Sequence, residues 1–131
     1  MNYGTSTTVD LSFDDTVTAT RAALADQGFG VLTEIDVQAT MKAKLDVDVE
    51  PQLILGACNP HLAHQALQAE PDIGLLLPCN VVVRQSGTAV IVSALDPQLM
   101  VTLPDKPALQ AVADDAAQRL RSALRALPGS S

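Results

Sequence analysis

The chain has 131 residues, enough for a domain whose core needs no disulfide or metal staple. Eight Lys and Arg against fifteen Asp and Glu leave a formal charge of -7, which opposes binding to nucleic-acid phosphates. Only Tyr3, Phe13 and Phe29 are aromatic, so there is no stacking platform for bases, and the 47% hydrophobic content must build an aliphatic core. The start, Met1-Asn2-Tyr3-Gly4-Thr5, lacks the basic and apolar pattern of a signal peptide. No apolar run approaches the roughly 18–20 residues of a membrane helix. The expectation is a soluble cytoplasmic protein that binds neither nucleic acid nor membrane, with both cysteines reduced.

Met1 to Leu11 alternates, with Tyr3, Thr5, Thr7, Val9 and Leu11 on one face, and reads as a strand. Ser12 stands as an N-cap with Asp15 three residues on. Phe13, Val17, Thr20 and Leu24 then recur at helical spacing until Gly28. Phe29 to Asp36 is a second strand, its alternation placing Val31, Thr33 and Ile35 on one side and Leu32, Glu34 and Asp36 on the other. Val37, Met41 and Leu45 mark a short helix, closed by the acidic turn of Asp46, Asp48 and Glu50.

Gln52 to Cys58 is apolar on both faces, as a central strand should be. Asn59 with Pro60 behind it is a directional helix start, and Leu62, Ala63, Ala66 and Leu67 form the side to be buried. Glu70 to Leu76 is a connection. Cys79 to Gln85 and Thr88 to Leu95 read as a hairpin across Ser86-Gly87, in a register that pairs Val83 with Val90, Val81 with Val92 and Cys79 with Ala94. The segment from Asp96 to Pro107 reads as irregular. Leu109, Val112, Ala113, Ala116, Leu120, Ala123, Leu124 and Leu127 make one continuous helical stripe. One α+β domain over 1–127 is expected, its sheet covered mainly by the first and last helices, with a frayed, disordered tail at 128–131.

The residues able to carry chemistry gather at two corners. Cys58 precedes Asn59 and Pro60, so its thiol lies near the free amides of a helix start, where a thiolate is stabilised. Cysteine at the end of a central strand also packs like alanine, which is the plainer reading. Cys79 follows Pro78 and opens a strand. If the two cysteine strands are neighbours, the sulfurs come close enough for redox pairing.

His61 and His64, three apart on a helix, join Cys58 and Cys79 as the one possible four-ligand metal set. Cys-x-x-His-x-x-His with a distant cysteine matches no usual zinc spacing, and that helix face is polar throughout. Glu34 and Asp36 share a strand side and form a candidate acidic rim; as a catalytic pair, one would need an apolar pocket. Gly28-Phe29-Gly30 joins a helix to a strand, the reverse of a phosphate loop, and no serine sits in a nucleophile elbow.

Gly28-Phe29, Leu32-Thr33-Glu34-Ile35-Asp36-Val37, Ile54-Leu55-Gly56-Ala57-Cys58-Asn59-Pro60, Leu62-Ala63, Ala66-Leu67, Glu70-Pro71, Ile73-Gly74, Leu76-Leu77-Pro78-Cys79-Asn80-Val81 and Asp96-Pro97 together resemble the domain-of-unknown-function 302 family. The resemblance spans most of the chain. It implies a small prokaryotic α+β domain of TATA-binding-protein-like plan, strand–helix–four strands–helix, with a curved, mainly antiparallel sheet and homodimers. It implies no established activity, catalytic residue or cofactor, and the two histidines lie outside its motif.

Three functions remain in play. The first is a non-enzymatic module, homodimeric, holding a small apolar or amphipathic ligand in an aliphatic cleft, with Cys58, Asn59, Cys79 and Asn80 as polar contacts and Glu34 and Asp36 at the rim. The second is thiol redox or sulfur handling by Cys58 with Cys79. The third is a structural or interaction domain whose apolar surface makes a symmetric dimer.

Overall fold

A computed structural model describes residues 1–129. In chain order the elements are β1 (Gly4–Val9), α1 (Phe13–Asp26), β2 (Gly30–Asp36), α2 (Val37–Leu45), β3 (Gln52–Cys58), α3 (Pro60–Ala69), a 3-10 turn (Pro71–Leu76), β4 (Cys79–Ser86), β5 (Ala89–Leu95), the one-turn α4 (Leu99–Thr102), a second 3-10 turn (Pro107–Leu109) and α5 (Gln110–Arg125). The strand–helix–four strands–helix order holds, and the five strands form one antiparallel sheet in the order β1-β5-β4-β3-β2.

Local chemistry explains the ends of the helices. The Ser12 hydroxyl accepts from the Asp15 amide, and Asp14 and Asp15 place negative charge in the first turn of α1. Two threonines of α1, Thr16 and Thr20, are fully buried. Their hydroxyls donate back to the carbonyls of Ser12 and Thr16 at 2.7 Å, so neither is left unpaired in the core. α5 carries the apolar stripe read from its spacing: Val112, Ala113, Ala116, Leu120, Ala123 and Leu124 are buried.

α1 and α5 cover one face of the sheet. Leu24, Leu55, Val81, Val83, Val92 and Leu120 fill the space between, each at most 2% exposed. A second apolar cluster lies toward the N-terminal half of α5, where Leu62, Ala66, Ile73, Met100 and Leu109 meet Val112 and Ala116.

The structure corrects several readings of the sequence. The β4–β5 loop is Gly87-Thr88 rather than Ser86-Gly87, so Val83 pairs with Val92, Val81 with Ala94 and Gln85 with Val90. Gly87 occupies the first central position at φ +59°, where a two-residue hairpin of the II′ kind places glycine. The residues keep their faces, because the shift is an even number of positions.

In β2 the pairing with β3 skips at Leu32, from Val31 opposite Ala57 to Thr33 opposite Gly56. This bulge flips the following residues, so Glu34 and Asp36 lie on the helix side with Val31, while Thr33 and Ile35 face the open side of the sheet. Two apolar faces are covered less than their spacing implies: α2 leaves Val37 and Met41 half-buried and Leu45 66% exposed, and Leu67 of α3 is 41% exposed. The stretch after Asp96 is not simply irregular but contains α4 and the second 3-10 turn. The tail expected from residue 128 is held at its first position, where the Pro128 carbonyl accepts from the Asp10 amide at 3.0 Å; positions 130–131 lie outside the described residues.

Candidate functional site

β3 and β4 are neighbours inside the sheet, which brings the Gly56–Pro60 and Leu77–Asn80 segments together at one end of its strands. Gly56 is required there by crowding. A methyl group on it would overlap Thr33 Oγ1 and lie 2.9 Å from Pro78 Cγ. The Leu77–Pro78 peptide is cis, and it delivers the chain to Cys79 opposite Ala57.

The two thiols are free and differ in setting. Cys79 is buried at 7% exposure, whereas Cys58 is half-buried. Burial pushes the Cys79 thiol up to about 11, and the neighbouring Cys58 adds to the rise. Cys79 faces Ala57 and not Cys58, so sheet alternation does not set the sulfurs directly opposite one another. Both border a cavity of about 20 Å³ beside Phe29, Asn59 and Met100, room for a single water. Asn59, 8% exposed, caps α3 by accepting from the Leu62 amide at 3.2 Å.

On the other side of Pro78 and Cys79 the space opens. A cleft of about 340 Å³ runs between the Leu75–Leu77 end of the first 3-10 turn and α4, where Leu99, Met100 and Leu103 form the facing wall. Cys79 and Leu95 lie along it, and Asn80 and Asp96 are its polar members. Leu77, Pro78, Cys79 and Met100 border both the cleft and the small cavity, so the two spaces are separated by one layer of side chains.

The other predicted residues have different places. Glu34 pairs with Arg21 of α1, and Asp36 caps α2 by accepting from the Ala39 amide at 2.9 Å. Asp36 is opposite Leu53, at the far end of β3 from Cys58, and borders a separate cleft with Asp14 and Phe13. The two carboxylates are therefore not brought to the cysteine corner. His61 and His64 are exposed on α3, and among the described residues no three His, Cys, Asp or Glu side chains gather as a metal site. No helix among them is long and apolar enough to cross a membrane.

The cleft walls were not singled out from the sequence. The signal was present in Leu75-Leu76-Leu77 and in Leu99 and Leu103 four residues apart, both inside connections too short for periodicity to register.

An open antiparallel sheet with two long helices on one face and the motif residues at one end of its central strands defines an α+β domain. The chain belongs to the family described as "Domain of unknown function DUF302", whose model matches residues 5–127. It is similar to the crystal structure of an uncharacterized conserved DUF302 protein from Bacillus stearothermophilus, at 28% identity and a TM-score of 0.90, over 97% of this chain and 99% of that one. No curated protein matches it.

Proposed function

We propose that this chain is a non-enzymatic, homodimeric cytoplasmic domain that binds a small apolar or amphipathic ligand near the Cys79 corner. The supporting observation is the leucine-walled cleft of about 340 Å³ that Cys79 and Asn80 border. That size is at the lower end of the range for small-molecule sites, and the lining is mainly aliphatic with few polar groups, as such sites are. The 20 Å³ cavity beside Cys58 and Asn59 is too small to be the site itself. A thiol held up to about 11 is a poor nucleophile at neutral pH, which argues for contact rather than catalysis at Cys79. Two free cysteines suit a reducing compartment.

The test uses the neutral fluorescent probe N-phenyl-1-naphthylamine. Its emission is expected to rise with the wild-type chain and to stay at the free-dye level with Leu99→Arg, provided circular dichroism shows that variant folded. Emission unchanged by the wild-type chain removes the ligand reading. Sedimentation at micromolar concentration checks the dimer, and a monomer there removes that part.

A second reading is favoured by one observation: Cys58 is half-buried at the end of β3, just ahead of the α3 cap Asn59, and close enough to Cys79 to raise it electrostatically. Thiol exchange at Cys58 with Cys79 as partner predicts alkylation of Cys58 well below pH 8.5; both thiols unreactive until about pH 8.5 would end it.

A further inference from the structure

Building on the ligand reading above, we infer that the cleft between the first 3-10 turn and α4 holds a straight alkyl chain bearing a neutral or cationic head, its tail along Leu75, Leu99 and Leu103 and its head at Asp96 and Asn80. The lining selects the tail. It is mainly leucine, proline and methionine with no aromatic ring, so it rewards buried apolar surface rather than ring stacking. Apart from Asp96, the lining residues offer no charged side chain to orient a compact polar molecule. What they offer is aliphatic surface, suited to methylenes.

Two leucines stand at the cleft in solvent, Leu75 at 89% exposure and Leu103 at 65%. A chain laid between them removes apolar surface of both partners from water. The walls are tied near one end: Lys106 Nζ, following α4, lies 3.2 Å from Glu70 Oε2, which precedes the 3-10 turn. That ion pair joins the two segments that a bound chain would lie between.

Charge selects the head. No Lys, Arg or His borders the cleft, and the chain as a whole carries -7, so a carboxylate or phosphate head would meet no partner and a repelling field. Asp96 is the one charged residue of the lining. One of its oxygens accepts from the Gln98 amide at 3.0 Å; the other remains for an ammonium or a hydroxyl.

The test is displacement of N-phenyl-1-naphthylamine from the full chain by n-alkyltrimethylammonium ions of six to twelve carbons, with sodium alkanoates of equal length beside them, all below micelle formation. Affinity for the ammonium series is expected to rise about fourfold per methylene until the cleft is full. Alkanoates of equal length should bind about fivefold or more weakly. Asp96→Asn, which keeps the oxygen facing Gln98, should erase that preference and leave the length dependence intact.

A dye that binds but is displaced equally well at every length overturns the chain and leaves the ligand reading standing. Alkanoates binding as tightly as the ammonium ions overturn the head assignment. If the dye never binds and Leu103→Arg converts a dimer to a monomer in sedimentation, a second copy covers these leucines and both readings fall.

Discussion

The sheet-side core and the region around the cleft use the same aliphatic residues to opposite ends. Under α1 and α5, Leu24, Leu55, Val83 and Val92 are sealed from water. Around the cleft, Ile73 and Leu109 are equally buried, yet Leu75 and Leu103 a few residues away stand in solvent. The difference is element length. A strand of seven residues or a helix of sixteen presents a face several side chains long, and the partner face can match it throughout. A six-residue 3-10 turn and a four-residue helix present no such face, so only some of their leucines find cover. Long periodic elements make a filled core, and short ones leave an open cleft.

Substitutions that treat the two regions alike should therefore behave differently. Leu55→Ala, at the centre of β3 with no exposure, is expected to cost about 2–5 kcal/mol in urea unfolding. A cost below 1 kcal/mol would show the sheet-side core to be as loosely filled as the cleft.

Cys79 sits where the regions meet, and its ionisation sharpens the contrast. A thiol raised from 9.0 to about 11 in the folded chain keeps its proton while the unfolded chain loses its own. Stability is thus intact below pH 9 and falls between about pH 9 and 11, by about 2–3 kcal/mol from this residue. The pH dependence of urea midpoints should flatten over that range in Cys79→Ala; curves of equal slope would place the sulfur in a wetter setting.

Gly56→Ala should cost about 1–3 kcal/mol, because the added methyl group overlaps Thr33 and presses on Pro78. Thr33→Ala, removing the hydroxyl it meets, should recover part of that loss when the two are combined, and strict additivity would count against the contact.

The smallest effect belongs to the cleft. Leu75→Ser, at 89% exposure, should change stability by less than about 0.5 kcal/mol while lowering probe affinity in the fluorescence assay.

Much of the fold was legible because its signals are local. Ser12 ahead of Asp15 and Asn59 ahead of Pro60 set the starts of α1 and α3, and both side chains make the expected caps. The stripe from Val112 to Leu124 is buried as its spacing implies. The misreadings arose where one residue changes the count. Leu32 adds a residue opposite β3 and turns Glu34 and Asp36 to the other face, and Gly87 draws the hairpin loop one position along. Apolar spacing at Val37, Met41 and Leu45 specified a helix correctly but not its burial: α2 packs mainly against β2 and β3 and leaves Val37 and Met41 half-buried.

Of the site, the sequence marked Cys58, Asn59, Cys79 and Asn80 as residues at two corners, and strand pairing brought those corners together at one end of the central strands.

Composition, capping residues and hydrophobic period determined by themselves that this chain makes an acidic, aliphatic α+β domain with its helices in these places. Those signals act within a few residues along the backbone, where sequence distance and spatial distance agree. The tertiary structure alone decided that Cys79 would be the buried thiol, that Glu34 and Asp36 would stand away from it, and that Leu75 and Leu103 would border one cleft. Such outcomes depend on which distant segments share a boundary, and packing complementarity between segments is a property of the assembled chain rather than of any stretch of it.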